Sequence, residues 1–214
     1  MGRKVWEIGG LVAGIVLIAF GAVAIFMGVS GRSTVSDKLK QEAIVGSPDM
    51  TPKGIAAEAK AAGLPATIAL PTCSVAGKDV TNGDTAKCFA NYMRIHALEA
   101  TGGLTFSQMG RFLDANGKQT SDAAKAAKDP KTGQPVANAA REVWIQETAL
   151  ATSLNVAYMA EQLALFGIVV GVALLLSGFG FAILAIGGAL RNPDTALAWF
   201  ARKPSGGTKP LATA

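Results

Sequence analysis

Histidine and cysteine are nearly absent from this 214-residue chain, which holds one of the first, His96, and two of the second, Cys73 and Cys88. Haem attachment needs Cys-x-x-Cys-His or axial histidines, and neither is present. Two cysteines with one histidine also make no convincing zinc site. No Ser-His-Asp spacing and no phosphate-binding glycine loop occurs. His96 lies among apolar neighbours, with Arg94 and Glu99 close by in sequence, and is expected to be structural rather than catalytic. The expectation is a chain without catalytic residues, cofactor or metal.

Charge is missing locally. Ile8 to Val29 is a run of 22 residues, and Leu163 to Leu190 one of 28, that contain no Asp, Glu, Lys, Arg or His. A hydrocarbon core of ~30 Å needs about 20 helical residues, so either run is long enough to span it. Ionisable groups inside a span mark ion pathways, proton relays or cofactor ligands, and their absence argues against transport by this chain alone. Arg3, Lys4 and Ala22-Val23-Ala24 also fit a secretory signal. The first run exceeds a usual signal core and continues through Ile25-Phe26-Met27, so an uncleaved anchor is expected. No cysteine follows it directly, which excludes a lipoprotein anchor.

The remaining charge is informative. Gly31 to Glu161 holds 14 basic and 13 acidic residues and is nearly neutral, whereas Arg3, Lys4, Arg191, Arg202, Lys203 and Lys209 make the tails basic. The positive-inside rule places both termini in the cytoplasm. Arg32, Lys38 and Lys40 argue the other way, with less weight, because a loop this long translocates largely regardless of its charge. Cys73 and Cys88 both lie in the middle stretch, where a disulfide would persist outside the cell; the alternative is two unrelated buried thiols. In the tail, Asn192-Pro193-Asp194 starts a helix, and Trp199 and Phe200 beside Arg202 and Lys203 form an interfacial anchor. These basic residues suit anionic phospholipid heads better than nucleic acid.

The organisation expected is mainly α: a cytoplasmic N-terminus at 1–7, a transmembrane helix at 8–29, an exported, mostly helical domain at 30–162, a second transmembrane helix at 163–190 and a cytoplasmic tail at 191–214. Within the middle stretch, Ser36 caps a short polar helix through Glu42, and Thr51-Pro52 starts another that Gly63 and Pro65 stop. Asp84 or Thr85 caps a helix running to about Ala100, and Thr105-Phe106-Ser107-Gln108 has the form of a capping box opening one more. Asn116 to Gly133 reads as an exposed connection with one short alanine-rich helix. From Pro135 onward no breaker appears before Gly167, so a long amphipathic helix is expected to run into the second span.

Glycine is what the spans do carry. Gly10 and Gly14 form a small-xxx-small pair, and Gly14, Gly21 and Gly28 repeat at sevens. Gly167 and Gly171 form another pair, with Gly178 seven further on. Small residues let helices approach closely in lipid, so these positions are expected to pack the spans on each other or on a partner.

His96-Ala97-Leu98-Glu99-Ala100-Thr101-Gly102-Gly103, followed by Thr105-Phe106 and a Gly- and Leu-rich span, resembles a family of actinobacterial membrane proteins with two spans, an exported helical domain and a cysteine pair. Some members are labelled aromatic ring-opening dioxygenases. Such an enzyme needs iron held by at least two histidines and a carboxylate, which one histidine cannot supply. The layout also resembles the prokaryotic respiratory supercomplex association factor, an accessory subunit of the actinobacterial cytochrome bcc–aa3 supercomplex. The resemblance implies a non-catalytic association subunit in the bacterial plasma membrane, with phospholipid and the integral cytochrome bcc and aa3 oxidase subunits as partners. The alternative is a free-standing envelope protein whose exported domain binds a lipid, a cell-wall precursor or a secreted protein.

Overall fold

Residues 2–187 are described by a computed structural model, and they are mainly helical. Helices α1 (Gly2–Gln41), α2 (Pro52–Ala61), α3 (Gly83–Ala100) and α4 (Ala140–Ile186) are joined by loops that hold one small hairpin, β1 (Phe112–Leu113) with β2 (Gln119–Thr120). At 1.5 Å per residue α1 and α4 are about 60 and 70 Å long. Both are long and apolar enough to cross a membrane. Along them Phe20, Phe26, Phe166 and Leu176 stand exposed, an apolar surface that a water-facing helix does not carry.

Contacts divide the chain into two units, one of Met1–Val29 with Phe166–Ala214 and one of Ser30–Leu165. The first consists, among the described residues, of the apolar segments of α1 and α4, which run antiparallel.

The second unit is built around α3. Asn82 caps it reciprocally with Thr85, two residues before the expected Asp84 and three before Thr85, because the Asn82 side chain accepts from the Thr85 amide while the Thr85 hydroxyl takes the Asn82 amide. At its other end Gly102 and Gly103 both take positive φ, a turn that side chains resist, and the buried Thr101 hydroxyl bonds the Leu104 carbonyl. Phe89, Tyr92, Ile95 and Leu98 of α3 pack with Ile55 of α2, Val75 and Val80 of the intervening loop, Leu39 of α1 and Trp144 and Leu154 of α4. Thr51 caps α2 by accepting from the Gly54 amide, with Pro52 at its first turn.

Three further local expectations differ from the structure. Ser36 starts no helix, since α1 runs unbroken to Gln41. Its polar side chains bond within the helix, as Thr34 does to the Ser30 carbonyl, and Leu39 is buried in the core, so packing carries the helix past the polar stretch. Thr105 and Gln108 make their side-chain bonds, but they close a turn rather than a helix. The Arg141 guanidinium, stacked on Phe106 and bonded to the Phe106 and Met109 carbonyls, draws off the acceptors a further turn would use. The stretch after Asn116 holds β2 and turns instead of a helix.

Glu161 gathers three elements of the second unit. Its carboxylate takes the amide of Gly83 at the start of α3 and pairs with Arg32 of α1 at 2.9 Å. A carboxylate at a helix N-terminus is favoured by the exposed amides there. Gly83 must be glycine, because a Cβ would lie 2.9 Å from the Tyr158 Cα. Glu161→Gln, which keeps shape and removes charge, is expected to destabilise the folded chain by about 1–3 kcal/mol in thermal or denaturant unfolding.

Candidate functional site

In the first unit the glycines bring the two helices together backbone to backbone. A Cβ on Gly14 would lie 2.8 Å from the Gly178 carbonyl oxygen, and one on Gly178 at 2.8 Å from that of Gly14. The same reciprocity joins Gly21 and Gly171 at 2.7 Å in both directions. Gly28 on α1 and Ala185 on α4 continue the buried series at seven-residue steps. Gly10 and Gly167 are only half-buried, and a Cβ on Gly167 would meet nothing closer than the Ala24 carbonyl at 3.7 Å. The tight contacts therefore follow the sevens and not the fours, and a seven-residue repeat is the one that keeps two helices in register along a left-handed seam. The small faces cover each other, and the surface left outward is made of large apolar side chains. Trp199, Phe200, Arg202 and Lys203 lie outside the described residues.

In the second unit one face of α3 organises a polar site. Cys88, Tyr92 and His96 follow one another at four-residue steps. Cys88 is disulfide-bonded to Cys73, and the buried Tyr92 hydroxyl donates to the Cys73 carbonyl at 2.6 Å. His96, one step further, meets two carboxylates from elsewhere: its Nε2 is 2.9 Å from Asp49 Oδ2 and 3.5 Å from Glu58 Oε2. Asp49 lies just before α2 and Glu58 within it. Gly54 makes this arrangement possible, since a Cβ there would run into the Asp49 carbonyl oxygen. The loop is pinned from the other side, where the Val75 amide and the Ser74 hydroxyl both donate to the Met50 carbonyl. Disulfide, Tyr92 and Asp49 thus form one mechanical chain.

The Ser47 hydroxyl is the main reason the Asp49 carboxyl is held below the usual carboxylate range; burial opposes it, and its own backbone amide and the charge of His96 add to it. Burial, helped by the Asp49 charge, pushes the Tyr92 phenol up. Tyr92 therefore stays a neutral donor while Asp49 stays an anion.

On a different face, Arg94 lies 4.2 Å above the Trp144 ring and 3.7 Å from the buried Glu147, joining α3 to α4. Beside it an open cleft of about 550 Å³ is lined by Pro65, Ile68, Leu70, Leu98 and Thr105. Of Asp49, Glu58 and His96 only the histidine stands out in the sequence; the two acids, far off along the chain, carry no signal that would join them to it. Compared with protein-family models, curated proteins and solved structures, the chain matches none.

Proposed function

We propose that this chain is a non-catalytic association subunit of an actinobacterial respiratory supercomplex of the cytochrome bcc–aa3 type, anchored in the plasma membrane with both termini in the cytoplasm and residues 30–162 outside. The observation that carries it is the pair of long helices whose charge-free stretches close their glycines on each other and turn large apolar side chains outward. Such a pair is at home in lipid or against larger membrane subunits, and it holds no group through which electrons or protons could pass. The basic tails support the orientation, and the Cys73–Cys88 bond agrees with an oxidising compartment. The choice of supercomplex rests on the resemblance of the His96–Gly103 motif and of the layout.

Tagged chain purified from native membranes in mild detergent is expected to bring cytochrome bcc and aa3 subunits with it. Their absence would overturn the assignment. The cleft beside Arg94 favours the second reading, an envelope protein that binds a lipid or cell-wall precursor. Purification free of cytochromes but with a co-eluting lipid is the result that reading expects.

A further inference from the structure

We propose that Asp49, Glu58 and His96 bind one divalent transition-metal ion, with Zn²⁺ the species their donor set fits best. Three observations lead there, and none depends on the membrane role proposed above.

The first is spacing. One oxygen from each carboxylate and a ring nitrogen all lie within 4.8 Å of one another, with Nε2 to oxygen separations of 2.9 and 3.5 Å. Ligands about 2.0–2.1 Å from a tetrahedral zinc are about 3.3 Å apart, so both Nε2–oxygen separations are already near those of ligands around one ion. The second is the histidine itself. Nε2 is shut off from solvent and has no aligned hydrogen-bond partner, although the Asp49 oxygen is at bonding distance. A nitrogen placed beside two carboxylates but in line with neither is oriented for a shared third body better than for either oxygen. The third is charge. Two carboxylates converge on one imidazole where, among the described residues, no lysine or arginine pairs with them, so even a protonated His96 leaves a net negative charge for a cation to offset.

The donor types select the ion. Imidazole disfavours Mg²⁺ and Ca²⁺, which take all-oxygen shells, and suits zinc and its neighbours. With one histidine and two carboxylates the set is not the two-histidine, one-carboxylate arrangement of ring-opening iron enzymes. Asp49, Glu58 and His96 are each partly open to solvent, so water can complete the shell. The ion would fasten the loop before α2, α2 and α3 at one point, about two helical turns along the same face of α3 from the staple made by the disulfide.

Because His96 is the chain's single histidine, its reaction with diethyl pyrocarbonate, followed by mass spectrometry, reports this site without any substitution. In the chelator-treated full-length protein in detergent, one equivalent of Zn²⁺ is expected to slow that reaction at least about tenfold, since a ring that binds the ion through Nε2 and carries its proton on Nδ1 has no free nitrogen lone pair left to attack. Glu58→Gln is expected to weaken Zn²⁺ binding about 100-fold, measured by competition with a fluorescent chelator. An unchanged modification rate under saturating Zn²⁺ would overturn the proposal, showing that His96 pairs with the carboxylates alone. Equal Zn²⁺ affinity in wild type and Glu58→Gln would also overturn it, placing the ion elsewhere.

Discussion

Replacing Gly171 by leucine is expected to separate α1 from α4 in the apolar unit and to cost about 3 kcal/mol of stability in detergent or bilayer. A Cβ at Gly171 would sit 2.7 Å from the Gly21 carbonyl oxygen and 3.0 Å from the Ile25 amide nitrogen, and backbone atoms cannot rotate aside as a side chain would. The helices must move apart, and the neighbouring contact at Gly14 and Gly178 opens with them. Lipid supplies no hydrophobic force to hold the pair, so lost dispersion and Cα–H contacts are not replaced. The control is built in: a Cβ at Gly180, two residues beyond Gly178 on the same helix, meets nothing within 4 Å. Gly180→Leu should leave unfolding unchanged within about 0.5 kcal/mol, as surface substitutions do. The comparison also separates two uses of the glycines. If they docked a partner instead of each other, Gly171→Leu would leave the isolated chain's stability intact and weaken only co-purification.

The unequal legibility of these features has a physical basis. A bilayer-length run without charge is a local property, and so is the helical periodicity from Val136 on, which is why two apolar helices could be read from the sequence, although α4 begins only at Ala140 and α1 runs on past the first span to Gln41. Glycine spacing showed that close approach was available but not between which surfaces, because Gly10 to Gly14 and Gly14 to Gly21 are equally visible along the chain. The structure distinguishes them by burial: Gly14, Gly21 and Gly28 face α4, and Gly10 only partly does. Ser36 misled because a capping residue is neutral between starting a helix and standing inside one, and the decision came from Leu39 reaching the core. The polar site was the least legible part. Asp49, Glu58 and His96 are joined by a loop that Gly54 allows to fold onto α2, and by a disulfide that fixes where that loop meets α3. No local pattern encodes a meeting of three elements.

That disulfide is the point at which the second unit is most exposed to chemistry. Reduction, or the double change Cys73→Ser with Cys88→Ser, is expected to lower stability by about 3 kcal/mol, the chain-entropy value for a bridge between residues 15 apart. The midpoint of thermal unfolding should fall by roughly 10 °C. A reducing agent should reproduce the effect in wild type and add nothing to the double variant; a further fall in the variant would assign the loss to something other than the bridge. The consequences should spread in one direction. Cys73 carries the carbonyl that Tyr92 bonds, and Ser74 and Val75 hold the Met50 carbonyl next to Asp49. Loosening the loop therefore releases Asp49 from His96 before it disturbs Ile55, Ile95 or Trp144, which are buried by α1, α2 and α4 as well. Faster amide exchange in residues 64–82 than in α3 after reduction would show that order of events, and equal exchange in both would show that the bridge supports the whole unit at once.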